Sequence, residues 1–149
     1  MHSTLAEYVA KPPTRERVVA DCVALIDEEV KSKGGLSGVA VKGAYGTVKT
    51  IKPRFVPEVV DSLLDDWVAK LEPFFDTWQK NGAGGSFSSY LGGRTGEVAE
   101  RLLEVTDARA QRSKNGSVRK MYEKMRPSAK KHVEEAIPRL GRLIDRQLA

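Results

Sequence analysis

Four groups of side chains in this chain have the chemistry to act on another molecule. The first is a thiol and an imidazole. Cys22 is the only cysteine, and His132 is one of two histidines. A thiol beside an imidazole is the minimum for nucleophilic catalysis. Cys22, however, falls in step with Val18, Val19, Val23, Ile26 and Val30 on one apolar helical stripe, where a cysteine packs as a small hydrophobe. His132 stands in AKKHVEE among charged neighbours. The pattern predicts no Cys/His nucleophile and no catalytic residue of any kind.

The second group is carboxylate. Asp65–Asp66 and Glu134–Glu135 are adjacent pairs, and neighbours on a helix point about 100° apart, so neither pair converges. Asp61 and Asp65 share a face with Glu58, Glu72 and Asp76 nearby. Without histidine this is a solvated acidic stripe and not a metal site. No Glu-x-x-His pair of the di-iron type occurs. No metal and no cofactor are expected.

The third group is basic. Residues 109–149 hold 12 Lys and Arg against 4 Asp and Glu, whereas residues 1–108 hold 13 against 16. Within TDARAQRSKNGSVRKMYEKMR, the side chains of Arg109, Arg112, Arg119, Lys120 and Lys124 form a candidate anion-binding surface. They either meet phosphates or balance the acidic stripe of the same chain. No helix-turn-helix or RNA-module signature accompanies them. Further on, Lys131–Glu135 and Glu135–Arg139 have the (i, i+4) spacing of local ion pairs.

The fourth group is a glycine surface. GVAVKGAYGTVKTIKP (Gly38–Pro53) fits a strand badly, because alternation leaves neither face apolar. As a helix capped by Ser37 and stopped at Pro53, it puts Val41, Ala44, Tyr45, Val48 and Ile51 on one side. Gly43 and Gly46 then lie opposite, where each costs about 1 kcal/mol against alanine. Close approach of another backbone, from this chain or a partner, would account for them. Lys42, Gly43, Gly46 and Lys49 are therefore a candidate interaction surface. The Walker spacing that cradles phosphate is absent.

The elements that must position these groups are all helical. Residues 1–13 read as an N-terminal arm ending at Pro12–Pro13, and residues 14–149 as one bundle domain. A first helix from Thr14 ends at Gly34 or Gly35. From Pro57 to Lys80 the apolar residues Val60, Leu63, Leu64, Trp67, Val68, Leu71, Phe74, Phe75 and Trp78 keep one phase through Pro73. NGAGGS is a turn. SYLGGRTGEVAERLLEVTDARAQRSK reads as one further helix, with a Glu97–Arg101 pair. A short helix capped by Ser117 carries Val118, Met121, Tyr122 and Met125, and a last helix runs from about Pro127 to Gln147. The prediction is an all-α, single-domain bundle of five or six helices.

Composition closes off other classes. With 149 residues and 40% hydrophobic content, the chain has enough core for one domain without staples. A single cysteine excludes an intrachain disulfide. No apolar run approaches the roughly 20 residues of a membrane span, and the N-terminus does not read as a signal peptide.

KSKGGLSGVAVKGAYGTVKTIKPRFVPEVVDSLLDDWVAKLEPFF and LLEVTDARAQRSKNGSVRKMYEKMRPSAKKHVEEAIPRLGRLID resemble an uncharacterised bacterial all-helical family, a domain of unknown function. The resemblance spans about Val18 to Asp145. It implies a cytoplasmic bacterial protein complete as one domain, and it carries no activity or site residues. The expected function is non-catalytic: binding of another macromolecule, a protein before a nucleic acid. The alternative is nucleic-acid binding through the basic segment 109–131.

Overall fold

The strongest apolar periodicity of the sequence becomes its central helix. The computed structural model describes residues 4–32, 42–43, 45–47, 49–81 and 84–148. Its helices are α1 (Leu5–Val9), α2 (Thr14–Ser32), α3 (Phe55–Lys80), α4 (Phe87–Gly92), α5 (Thr95–Gln111) and α6 (Gly116–Leu148). The described residues between 42 and 51 are helical too, as the helix reading of the glycine stretch expects and the hairpin does not. No strand occurs among the described residues, and the architecture is an all-α bundle. Gly34, Gly35, Ser37, Val41, Ala44 and Val48, named above, lie outside the described residues.

The four long helices pack as a ring: α2 on α3, α3 on α5, α5 on α6, and α6 on α2. Two short helices pack against the long ones. Helix α1 packs on α2, α3 and α6, and α4 packs on α3, α5 and α6. Leu5 and Phe87, the first residues of these short helices, are both 0% exposed. Each helix start is held by a carboxylate from a long helix. The backbone N–H groups of Leu5 and Ala6 donate to Glu72 at 2.7 and 3.1 Å. Those of Phe87 and Ser88 donate to Asp145 at 3.0 and 3.3 Å. Orphan amides at a helix N-terminus need such acceptors, and the negative charge suits that end of the helix.

The arm assigned to residues 1–13 is thus a docked helix over Leu5–Val9. Leu5 and Val9 belong to the core cluster, which a reading of Pro12–Pro13 as an end point does not reveal. Two other boundaries also differ. The stretch read as one helix from Ser89 is divided at Gly93–Arg94 into α4 and α5. The short helix and the last helix are one, α6, which runs unbroken through Pro127 and Pro138. Pro73, Pro127 and Pro138 are all exposed, so water can reach the carbonyls that their missing N–H groups release. Asn115, and not Ser117, caps α6, accepting from Ser117 and Val118 at 2.9 and 3.3 Å.

Among the described residues, no other backbone comes close to Gly43 or Gly46; a close helix approach within the chain occurs at Gly141. A Cβ added at either meets no atom of the described residues within 4 Å. Their carbonyls accept back-bonds from Thr47 and Thr50, each at 2.9 Å. At Gly141, by contrast, an added Cβ would lie 2.6 Å from Ser88 Cα. Pro138, Gly141 and Asp145 therefore form one row of α6 on which α4 rests. Gly141→Ala should lower stability by about 1–3 kcal/mol through overpacking. Gly43→Ala and Gly46→Ala, in open space, should raise it by up to about 1 kcal/mol each. Urea melts of the three variants check this, and an unchanged Gly141→Ala midpoint would contradict the packing.

Candidate functional site

The first half of α6 is built with its polar side inward. Arg126 donates Nε and Nη2 to Asp107 at 2.9 and 2.8 Å, and Nη1 and Nη2 to Glu100 at 3.2 and 3.0 Å. Tyr122 donates its hydroxyl to Asp107 at 2.5 Å and lies 2.8 Å from the Thr106 hydroxyl. Lys130 adds a 3.4 Å contact to Glu100. A planar guanidinium held by two carboxylates is a geometrically demanding clamp. Hydrogen bonds from Arg126, before any other cause, hold the Asp107 and Glu100 carboxyls below their ordinary range.

This clamp decides which side of α6 faces water. Tyr122 and Arg126 turn towards α5, and the adjacent row of Val118, Met121 and Met125 turns outward, 48%, 63% and 51% exposed. The sequence places these three apolar residues on one short helix without deciding which way they face. Two rows with the same spacing sit about 100° apart, and ion pairing of Arg126 to α5 selects the polar one.

The five predicted anion-binding residues share this end of the molecule but not one role. Arg112, Lys120 and Lys124 are exposed. Arg109 is exposed as well but donates to the Ser62 hydroxyl at 3.0 Å. Arg119 is half-buried and donates to the Ser113 carbonyl. Among the described residues, none of the five pairs with the acidic stripe. Arg15 holds Asp61 and Asp65 at 3.1 and 2.8 Å, Glu72 caps α1, and Asp76 pairs with Lys80 at 2.9 Å. Glu97–Arg101 is likewise replaced: Arg101 meets Glu104 at 2.7 Å, which also receives Lys70 at 3.0 Å.

The predicted interaction surface at Lys42, Gly43, Gly46 and Lys49 is exposed. It is tied to α2 by polar contacts: the Tyr45 hydroxyl and Lys49 Nζ donate to Asp27 at 2.6 and 3.0 Å. Ile51, expected inward, is 70% exposed. Tyr45 makes this contact through its hydroxyl, so the segment does not need an apolar inner face there.

Between the long helices lies a pocket of about 340 Å³, partly open to solvent and lined by residues of α1, α2, α3, α5 and α6. Cys22 and His132 both line it, as does Glu29. Glu29 is buried and receives Arg139 at 3.1 Å. Burial pushes the Cys22 thiol up to about 11, so only about one molecule in ten thousand carries the thiolate at pH 7. Among the described residues, no three His, Cys, Asp or Glu side chains gather as a metal site.

The sequence of this protein matches a family of unknown function (DUF6918) over residues 5–148. The chain belongs to that family. No curated protein and no solved structure matches it. The span of DUF6918 begins at Leu5, the residue that α1 buries, and ends at the last residue of α6. Sequence reasoning about this DUF6918 chain missed the clamp because Arg126 reaches across 19 and 26 residues to its partners. No local spacing announces such contacts.

The clamp makes the stability of this DUF6918 protein acid-sensitive. A carboxyl depressed by folding contributes fully above its unfolded value, about 3.9 for Asp and 4.3 for Glu. That contribution is lost as pH falls through the lower folded value. Urea midpoints should hold from pH 7 to about 4.3 and fall below that. Arg126→Gln should lower the pH 7 midpoint and make the acid fall shallower. Parallel pH profiles for the two proteins would contradict the clamp.

Proposed function

We propose that this protein is a non-catalytic docking module of the bacterial cytoplasm, and that it binds an acidic, amphipathic helix of a protein partner along the first half of α6. The observation that carries the reading is the exposed row of Val118, Met121 and Met125 at helical spacing. Methionine-rich apolar rows adapt to the side chains of a partner helix. Arg112, Lys120 and Lys124 surround the row with exposed positive charge, and Glu123 is the exposed acid among them. That balance favours an acidic partner. It disfavours a second copy of the same surface, which would bring like charges together.

Two further observations support the reading. The protonated Cys22 thiol removes the nucleophile that a Cys/His enzyme would need. No helix among the described residues is long and apolar enough to cross a membrane. Nucleic-acid binding remains the second reading, favoured by the same three cations. The apolar row between them has no counterpart in a phosphate backbone, whose grip is ionic.

Affinity purification from the native host tests the proposal by comparing wild type with the double variant Met121→Glu, Met125→Glu. The expected result is a defined protein that elutes with wild type and binds the variant at least about tenfold more weakly, a loss of about 1.4 kcal/mol, at unchanged melting temperature. Co-elution untouched by the double variant contradicts it. Submicromolar binding to DNA or RNA at physiological salt would favour the second reading. That binding should fall by about 0.9 log units per decade of salt for each B-DNA phosphate neutralised, and be lost in the glutamine variant of Arg112, Arg119, Lys120 and Lys124.

A further inference from the structure

The pocket between the long helices has a chemistry that the docking surface does not use. Helices α2 and α5 are each packed against α3 and α6, and residues of all four line the pocket. Leu25, Trp67, Leu102, Val133, Ala136 and Leu140 bound the space from four helices. Among the described residues, no lysine or arginine side chain lines it. Glu29, the one acidic residue among the described lining residues, is held by Arg139 at 3.1 Å. Cys22 is kept as the neutral thiol by burial.

From these features we infer that the cavity is a binding site for a neutral, apolar small molecule. The chemical class is a medium-length aliphatic chain or a single-ring aromatic with at most one uncharged polar group. At about 30 Å³ for each non-hydrogen atom, 340 Å³ accommodates about 11 such atoms. The volume lies within the usual range for ligand pockets, about 300–1,000 Å³. An anionic headgroup would have to shed its hydration beside the carboxylate of Glu29, with no lysine or arginine among the described lining residues to receive it. The site is separate from the row at Val118, Met121 and Met125, since its α6 residues begin at His132.

The test titrates 1-octanol and, separately, sodium octanoate into the isotope-labelled full chain, following methyl resonances by NMR. The expected result is saturable shifts at Leu25, Leu102, Val133 and Leu140 with 1-octanol, and an affinity for octanoate at least about tenfold lower. Ala136→Leu and Val30→Phe, which place carbon inside the cavity, should each weaken 1-octanol binding by about tenfold or more. They are compared only where circular dichroism shows the wild-type helix content. The wild-type titration alone suffices to overturn the inference: methyls that stay still up to the solubility limit of 1-octanol mean there is no such site. Equal binding of octanoate, or shifts that persist in a folded filled variant, overturn it as well.

Discussion

Two short helices with little stability alone are held against the four long ones, and the apolar core depends on that docking. A single turn or two of helix does not persist in water. Here each is held at its first residues by a carboxylate projecting from a long helix, Glu72 for α1 and Asp145 for α4. The pinning lets Leu5, Val9, Phe87 and Leu91 enter the core. Gly141 is the matching steric condition, because any side chain there would meet Ser88. The aromatic contacts of Phe75 with Phe87 and Tyr8 (ring centroids 5.3 and 5.9 Å apart) follow from that placement.

Helix α6 joins this core to the proposed function. Its second half is ordinary core packing, with Ile137, Leu143 and Ile144 buried. Its first half adds almost nothing to the apolar core and is attached by the Arg126 clamp instead. An ionic inner face leaves the apolar residues of that half with no place but the surface. One 33-residue helix therefore presents an inward apolar face at one end and an outward apolar face at the other. The two candidate binding features use different residues, since the α6 residues of the pocket begin at His132.

Much of the fold is legible in the sequence. The phase of Val60 to Phe75 dictates α3, and the absence of alternation at Gly38–Pro53 excludes the hairpin. Contacts distant in the chain are not legible. Leu5 reads as part of an arm because five helical residues carry too little periodicity to declare a helix. Pro127 reads as a start because the cost of an exposed proline inside a helix depends on what lies beneath it. Which way Val118, Met121 and Met125 face is not legible, because the adjacent row of Arg119, Tyr122 and Arg126 has the same spacing. The α5 partners of Tyr122 and Arg126 decide between the two rows. Gly141 carries no local mark that separates it from Gly43 or Gly46. Of the candidate anion-binding residues, Arg112, Lys120 and Lys124 stand exposed as expected, while Arg109 and Arg119 are engaged within the chain.

The outward apolar row on α6 is the claim on which the functional account rests, and methionine oxidation reads it directly. Dilute hydrogen peroxide converts accessible methionine to the sulfoxide, and peptide mass spectrometry follows each site. The account predicts that Met121 and Met125 in the native purified protein oxidise at close to the rate seen in the urea-unfolded chain, with the helical signal unchanged throughout. Protection of both residues in the native protein, with oxidation only on unfolding, would show that the row is buried and would contradict the account.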